Sequence, residues 1–261
     1  MTNRVLSEVR NGVLIITLNR PEALNALENS MIAAINTQLD AAKSDEQVRA
    51  VLFRGAGRGL SAGDDLKDMG TETHPEPKDL QIRYMEGYPA IVKRIRSLEK
   101  PVVVSLKGFA LGAACEIALA SDVIVAESKA KIGLPFVLRG IASGTVLAPR
   151  LLPEHLAKRL LLLGEMLPAD TLKPYGIVSR FVDPEEGSVD DEALSVATDL
   201  AKSATRAIGL MKAAIHETAG APYDAAWRTQ VSATAQSVLT DDFLEGKAAF
   251  AEKRTPDFRG K

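Results

Sequence analysis

This sequence of 261 residues has few cysteines, little net charge and no long apolar runs, and each of these absences excludes a class of protein or site. It has one cysteine, Cys115, which excludes an intrachain disulfide and a cysteine-cluster metal site. The formal net charge is −2, so there is no basic excess of the kind that binds nucleic acid or an anionic membrane. The densest apolar runs, at 102–106 and 160–163, are far too short to cross a bilayer.

The amino-acid composition is typical of a globular protein, with 46% apolar and 25% charged residues. The first residues, MTNRVLSEVRNG, lack the continuous apolar stretch of a secretory signal. We therefore expect a soluble, cytoplasmic protein with a sizeable core and with no nucleic-acid or membrane partner.

The pattern along the chain alternates between strand and helix. Residues 5–9 and 13–18 flank Asn11-Gly12, a dipeptide that favours a β-hairpin, and 28–43 has helical spacing of its apolar residues. The elements predicted next are a strand at 48–53, a loop at 70–79, a helix at 80–98, a strand at 101–106, a helix at 110–122 and a strand at 123–126. This alternation predicts an α/β fold with parallel pairing.

The composition and the pattern of apolar residues change near Gly187. Residues 188–219 and 224–254 have helical patterns and are rich in alanine, leucine, lysine and glutamate. We therefore divide the chain into a core over 1–187 and a C-terminal helical region over 188–261.

A glycine-rich loop at 54–66 is the first chemical candidate. Within it, GLSAG at 59–63 matches the G-x-S-x-G pattern of serine hydrolases, with Ser61 as nucleophile and His155 or His216 as partners. Such a nucleophile directly follows a strand, whereas here a loop intervenes, so we do not favour a hydrolase. Both histidines lie on helical stretches without metal-ligand spacing, which favours a structural role for them. Phosphate-loop spacings are absent. The glycines suit a backbone that approaches a ligand closely or presents its own N–H groups.

Five segments over nearly the whole chain carry recognisable motifs: LNRPEALNAL (18–27), SAGDDLKDM (61–69), KPVVVSLKGFALGAACEIALASDVIVA (100–126), LLLLGEMLPADTLKPYGIVSRFVD (160–183) and FAEKRTPDFRGK (250–261). In this order they resemble the enoyl-CoA hydratase/isomerase (crotonase) superfamily. The resemblance implies a spiral core of ββα turns and a C-terminal helical region that packs into homotrimers or hexamers. It also implies an acyl-CoA substrate, with coenzyme A entering as part of the substrate and no separate cofactor or metal.

The resemblance further implies an oxyanion hole formed by the backbone N–H groups of Asp64 and Ala113. Such donors stabilise the charge that grows on a thioester oxygen as it becomes an enolate. Glu116 follows Ala113 by three residues, almost one helical turn, and would project beside that pocket as general acid or base. From its position alone, Glu116 is equally well explained by the dipole at a helix N-terminus, whereas the resemblance favours catalysis.

Two positions depart from the family pattern. Hydratases of the family use two glutamates, and Phe136 stands where the second is expected, in a segment that is also shortened at 141–145. Phe136 is expected to line an apolar acyl pocket instead. Asp64 carries a carboxylate where a small residue is common, so its side chain is a candidate substitute acid.

The resemblance also assigns substrate-binding positions along the acyl-CoA, which are Glu22, Ala23, Ala62, Asp65, Leu66, Lys67, Phe109 and Phe136. The sequence thus predicts an enzyme, with hydration of a 2-enoyl-CoA as the leading reaction. An enoyl-CoA double-bond isomerase that uses Glu116 alone and a non-catalytic acyl-CoA binding protein are the alternatives. Phe136 is the feature that favours both alternatives.

Overall fold

A computed structural model describes residues 3–68 and 80–261 and has the predicted mixed α/β architecture. The loop predicted at 70–79 lies outside the described residues. The strands are β1 Val5–Arg10, β2 Val13–Leu18, β3 Ala50–Gly55, β4 Val102–Leu106, β5 Phe109–Leu111, β6 Val123–Glu127, β7 Lys131–Gly133, β8 Met166–Pro168 and β9 Arg180–Val182. The helices are α1 Asn29–Ser44, α2 Leu80–Glu86, α3 Tyr88–Ser97, α4 Ala113–Ala120, α5 Ala148–Leu151, α6 Glu154–Leu162, α7 Val189–Lys202, α8 Thr205–Thr218, α9 Tyr223–Ser237 and α10 Asp241–Glu252.

A six-stranded sheet in the order β1-β2-β3-β4-β6-β9 forms the frame. β1 and β2 pair antiparallel through the predicted hairpin, where Asn11 and Gly12 have φ values of 52° and 79°, the left-handed values of a type I′ turn. The later neighbours all pair parallel, as predicted. Parallel strands need crossover helices, and these helices cover both faces of strands such as β4.

Two apolar layers lie on opposite sides of this sheet. The larger layer contains α1, α3 and α4, which pack against alternate strand residues such as Val51 and Val104. On the other side, α7 buries Val189, Ala193 and Ala197 against the remaining strand residues. Helix α7 follows the proposed boundary at residue 187 directly and packs on the sheet of the core region. The boundary stays a prediction.

Two predicted helices have different bounds in the structure. Phe109–Leu111 is a strand and pairs with β7 in a second sheet of order β5-β7-β8, so α4 begins only at Ala113. Gly112, with a φ of 54°, turns the chain between them. The helix predicted at 80–98 is divided at Gly87, because the ring of Pro89 fits only the first turn of a new helix.

The C-terminal region is helical, as predicted, and its last residues return to the body of the protein. The Asp242 carboxylate accepts hydrogen bonds from the backbone N–H groups of Arg259 (2.6 Å) and Gly260 (2.8 Å). Among the described residues, no helix is both long enough and apolar enough to span a membrane. Large apolar side chains stay exposed on this region, namely Met211, Ile215, Tyr223, Trp227, Val231, Val238, Leu239, Phe243, Leu244 and Phe250.

Candidate active site

Backbone contacts join the glycine-rich loop to the start of α4. The N–H of Leu111 donates to the carbonyl of Ser61 at 3.1 Å. Gly63 has a φ of 93°, and a Cβ built on it would lie 2.6 Å from the Leu111 carbonyl oxygen and 3.2 Å from the Ala113 nitrogen, so only glycine fits there. Asp64 and Ala113, the predicted oxyanion residues, therefore lie on adjoining backbone segments.

The same loop is held from its other side by the segment that precedes α1. The N–H of Leu27 donates to the Gly63 carbonyl (2.8 Å), the N–H of Asp65 donates to the Leu27 carbonyl (2.9 Å), and Asp64 forms a parallel bridge with Leu27. Ala113 is the first residue of α4, where amides lack intrahelical acceptors and the helix dipole is positive. This setting suits an oxyanion, and the role of the two amides stays a prediction.

Glu116 lies in the first turn of α4 with 6% of its surface exposed. Its Oε2 accepts a hydrogen bond from the hydroxyl of Tyr88 at 2.6 Å, and the Tyr88 oxygen lies 2.5 Å from Oγ of Ser143. Sequence reasoning missed both hydroxyls. A signal for Tyr88 existed, because Tyr88, Ile91 and Ile95 share the buried face of α3 and a buried tyrosine hydroxyl needs a polar partner.

Burial dominates the electrostatics of this cluster. Desolvation raises the pKa of Glu116 above its usual value, and the hydrogen bond from Tyr88 opposes that rise. Desolvation likewise raises the pKa of Tyr88, and the charges of Glu116 and Asp64 act in the same direction, which places Asp64 within electrostatic range of the hydroxyl. Burial, and then the charge of Glu116, raise the pKa of the Cys115 thiol, which favours its protonated form.

Phe136 lies beside this cluster. Its ring stacks on the ring of Tyr88, with centroids 6.1 Å apart and planes 17° apart. It is buried in the 3₁₀ turn Pro135–Arg139, and a Cβ built on Gly112 would lie 3.5 Å from its ring. An apolar ring therefore flanks the start of α4 at the position where the family pattern has an acid.

Comparison with known proteins agrees with this geometry. A family model described as enoyl-CoA hydratase/isomerase matches residues 8–261. The chain is 35% identical over 265 residues to 1,2-epoxyphenylacetyl-CoA isomerase of Escherichia coli (strain K12), covering 100% of both chains. It is 34% identical over 252 residues to 2,3-dehydroadipyl-CoA hydratase of the same strain, covering 95% of this chain and 96% of the relative.

A solved structure shows the same fold. The crystal structure of an enoyl-CoA hydratase from Polaromonas sp. JS666 has a TM-score of 0.89 and 30% identity, covering 97% of this chain and 99% of that one. The chain belongs to the enoyl-CoA hydratase/isomerase family. The predicted crotonase fold is thereby confirmed, and the relatives named as hydratases and isomerases support the predicted enzyme class. One of these relatives is named as an isomerase and the other as a hydratase, so membership of the family leaves the individual reaction open.

The positions that the family resemblance assigns to coenzyme A lie on two loops. Glu22 and Ala23 are part of the 3₁₀ turn Pro21–Ala23 that follows β2. Buried Asn25 connects this turn to the glycine-rich loop, because its Nδ2 donates to the carbonyls of Ala56 (2.8 Å) and Gly59 (3.1 Å). Sequence reasoning did not single out Asn25.

The second loop carries Ala62, Asp65, Leu66 and Lys67, of which the last two are exposed. Asp65 forms an ion pair with Arg20. Burial raises the pKa of Asp65, but the hydrogen bonds from Arg20 and from the Lys67 backbone, together with both positive charges, leave that pKa below its usual value. Phe109, the first residue of β5, packs its ring against Gly59 of the loop. The structure thus gathers these residues around the glycine-rich loop, and their contacts with coenzyme A stay a prediction.

The serine-hydrolase alternative finds no geometric support in this family member. Ser61 is fully buried, and its Oγ accepts the N–H of Gly63 at 3.0 Å, as in a tight turn. His155 is exposed on α6, whereas Nδ1 of His216 on α8 lies 2.9 Å from the Arg96 guanidinium. Across residues 3–68 and 80–261, neither histidine hydrogen-bonds to Ser61, and no three His, Cys, Asp or Glu side chains form a metal-binding group.

Proposed function

We propose that this chain binds an acyl-CoA thioester and adds water across the double bond of a 2-enoyl-CoA. The observation that carries the proposal is the buried Glu116 carboxylate, which Tyr88 holds at 2.6 Å within one turn of Ala113. An acid–base group in this position lies beside amides that can stabilise an enolate oxygen. The stacked pair of Tyr88 and Phe136 supplies an apolar wall beside it.

In the proposed reaction, Oε1 of Glu116 takes a proton from a water molecule while the water oxygen bonds to C3 of the substrate. The electrons of the double bond move toward the thioester oxygen, which the N–H groups of Asp64 and Ala113 stabilise. Protonated Glu116 then delivers its proton to C2, and the thioester carbonyl is restored. A raised pKa suits both steps, because Glu116 then holds a proton more readily than an exposed carboxylate does.

Double-bond isomerisation is the second candidate, and Phe136 favours it. With an aromatic ring at the position of the second glutamate, Glu116 alone could move a proton from C2 to C4 of a 3-enoyl-CoA without any water. Asp64 is the reason for placing hydration first, because it adds a carboxylate at the predicted oxyanion position and its charge acts on the hydroxyl of Tyr88. We propose that this side chain holds the attacking water together with Glu116.

Product masses distinguish the two reactions. The purified protein is incubated with a trans-2-enoyl-CoA and, separately, with a 3-enoyl-CoA, beside Glu116→Gln and the matched control Glu154→Gln, an exposed glutamate in the first turn of α6. A mass gain of one water on the 2-enoyl substrate, reduced by ~10²–10⁴-fold only in Glu116→Gln, supports hydration. Conversion of the 3-enoyl substrate to a 2-enoyl product of the same mass, separated from it by chromatography, supports isomerisation. Binding of both substrates with turnover of neither supports a non-catalytic binding protein.

We further propose that the chain assembles into homotrimers or hexamers through its C-terminal helices. The support is a set of apolar side chains exposed on α9 and α10, among them Trp227, Val231 and Phe250. Exposed large apolar side chains are a feature of interaction sites in proteins when they lie together. The cytoplasmic location and the absence of a cofactor or metal beyond the substrate's own coenzyme A stay predictions.

A further inference from the structure

Three side chains from separate elements form a line of polar contacts that ends at the Glu116 carboxylate. Tyr88 comes from α3, Glu116 from α4, and Ser143 from the loop before α5. The tyrosine hydroxyl lies 2.6 Å from Oε2 of Glu116 and 2.5 Å from Oγ of Ser143. No described residue donates a hydrogen bond to Oε1 of Glu116. One carboxylate oxygen is therefore engaged by the protein and the other is left for a substrate or water.

The number of available protons determines the direction of these hydrogen bonds. An ionised carboxylate can only accept, so the single hydroxyl proton of Tyr88 points to Glu116. Ser143 must then donate its proton to the tyrosine oxygen, which gives the order Ser143 to Tyr88 to Glu116. A hydroxyl that accepts one hydrogen bond becomes a stronger donor in the next, so Ser143 strengthens the bond from Tyr88 to the carboxylate.

Packing restricts the position of the Tyr88 hydroxyl. Tyr88 is buried, and its ring stacks on Phe136. It is also the first residue of α3, where the following Pro89 restricts the backbone. A donor fixed in this way holds its acceptor in one orientation, which is the requirement for an acid–base group that must reach a particular substrate atom.

We propose that Tyr88 is a positioning residue for Glu116 and that Ser143 acts through Tyr88. The two hydroxyls hold Oε2 so that Oε1 faces the substrate, and they stabilise the ionised form of the carboxylate against burial. The inference rests on the acid–base role proposed above for Glu116. It requires neither hydroxyl to touch the substrate.

The charged and titratable groups around Tyr88 predict how its removal changes the pKa of Glu116. Burial, Glu116 and Asp64 all raise the pKa of Tyr88, so the phenol stays protonated and keeps donating at neutral pH. The neighbouring Cys115 thiol also has a raised pKa and stays neutral. Because the hydrogen bond from Tyr88 lowers the pKa of Glu116 while burial raises it, loss of the hydroxyl leaves burial unopposed. The pKa of Glu116 should therefore rise further in Tyr88→Phe.

Steady-state kinetics over a range of pH test the proposal with Tyr88→Phe, Ser143→Ala and the double variant, beside Tyr175→Phe, which alters an exposed tyrosine. For Tyr88→Phe we expect kcat to fall about ten- to hundredfold with little change in KM, and the acid limb of kcat/KM to move to higher pH. Ser143→Ala should show a smaller change in the same directions. Because Ser143 acts through Tyr88, the double variant should match Tyr88→Phe rather than the product of the two single effects.

A direct titration separates this proposal from the proposed reaction. The ¹³C NMR signal of the Glu116 carboxyl carbon, assigned by its loss in Glu116→Gln, is followed with pH in the folded parent, Tyr88→Phe and Ser143→Ala. A higher titration midpoint in both variants supports the proposal. If Glu116→Gln keeps full activity, that result rejects the proposed reaction but leaves the effect of the two hydroxyls on Glu116 intact. If Tyr88→Phe does not fold, Ser143→Ala carries the test. An unmoved midpoint would overturn the positioning role, and so would kinetics equal to those of Tyr175→Phe when Glu116→Gln has lost activity.

Discussion

The ring of Phe136 stacks on the ring of Tyr88, with planes 17° apart and centroids separated by 6.1 Å. Tyr88 in turn donates its hydroxyl proton to Glu116. The residue at the position of the expected second acid therefore supports the hydroxyl that holds the remaining glutamate. Aromatic pairs contribute about 0.5–1.5 kcal/mol beyond the burial of their surfaces, enough to restrict a ring that already lies in the core.

Truncation of this aromatic support should affect stability and activity together. We expect Phe136→Ala to lower the free energy of unfolding by about 3 kcal/mol, because a buried ring is replaced by a cavity. We also expect kcat to fall, because Tyr88 loses its stacking partner. Urea denaturation and turnover measurements check both effects, with Phe136→Tyr as the variant that keeps the stack. Unchanged kcat in a folded Phe136→Ala protein would contradict the coupling.

The ionised side chain of Glu116 should lower the free energy of unfolding at neutral pH. Burial raises the pKa of Glu116 in the folded protein above its value near 4.5 in the unfolded chain. Its contribution to the free energy of unfolding is therefore fully present below pH 4.5 and is lost as the pH rises through the pKa of the folded state. Glu116→Gln should therefore match the parent in stability at pH 4 and exceed it at pH 7.5, by about 1 kcal/mol. Thermal unfolding at the two pH values measures this difference. A less stable Glu116→Gln protein at pH 7.5 would show that the charge is not disfavoured.

The close approach of Gly63 to α4 predicts a large effect of a single methyl group. In Gly63→Ala the Cβ would lie 2.6 Å from the Leu111 carbonyl oxygen, so the loop must shift and move the Asp64 amide. We expect kcat to fall by about 10²–10³-fold, as when an oxyanion donor is removed. Gly140→Ala is the control, because Gly140 also has a positive φ, of 70°, but a Cβ there meets no atom within 4 Å. Equal losses in the two variants would indicate backbone strain alone.

Ser61 distinguishes the hydrolase alternative from the proposed chemistry. Its Oγ accepts the N–H of Gly63 within a buried turn, so Ser61→Ala should destabilise the protein by about 1 kcal/mol and leave most turnover intact. Chemical denaturation and the enoyl-CoA assay measure the two quantities. Complete loss of activity in a folded Ser61→Ala protein, with Glu116→Gln still active, is the result that a serine nucleophile would produce.

Self-association should depend on the apolar surface of α9. Trp227 is 47% exposed and makes an edge-to-face contact with Tyr223. Placing a charge there, in Trp227→Glu, should dissociate the assembly, because an interface core does not readily accept an unpaired carboxylate. Light scattering coupled to size-exclusion chromatography gives the mass of each species, and Lys158→Glu, at an exposed position of α6, serves as the charge-changing control. A monomeric parent protein would refute the proposed assembly.

Most of the fold was predictable because its signals act over short distances along the chain. The hairpin follows from two adjacent residues that adopt positive φ, and the buried strands follow from runs of β-branched residues. The start of α4 was wrongly predicted because Phe109–Leu111 is as apolar as the helix that follows. Its strand conformation depends on pairing with β7 and on the bridge between Ala110 and Ser61, partners that are distant in sequence.

By itself, the sequence determined the order of strands and helices as far as β6 except for the short strand β5, the helical C-terminal region, the resemblance to the family and the candidate roles of Asp64, Ala113 and Glu116. Only the tertiary structure decided which polar groups meet the carboxylate. Tyr88 and Ser143 are separated from each other by 55 residues and reach Glu116 only when α3 and the loop before α5 pack against α4. Local residue patterns specify how each segment folds, whereas the convergence of side chains from three segments depends on how the whole core packs.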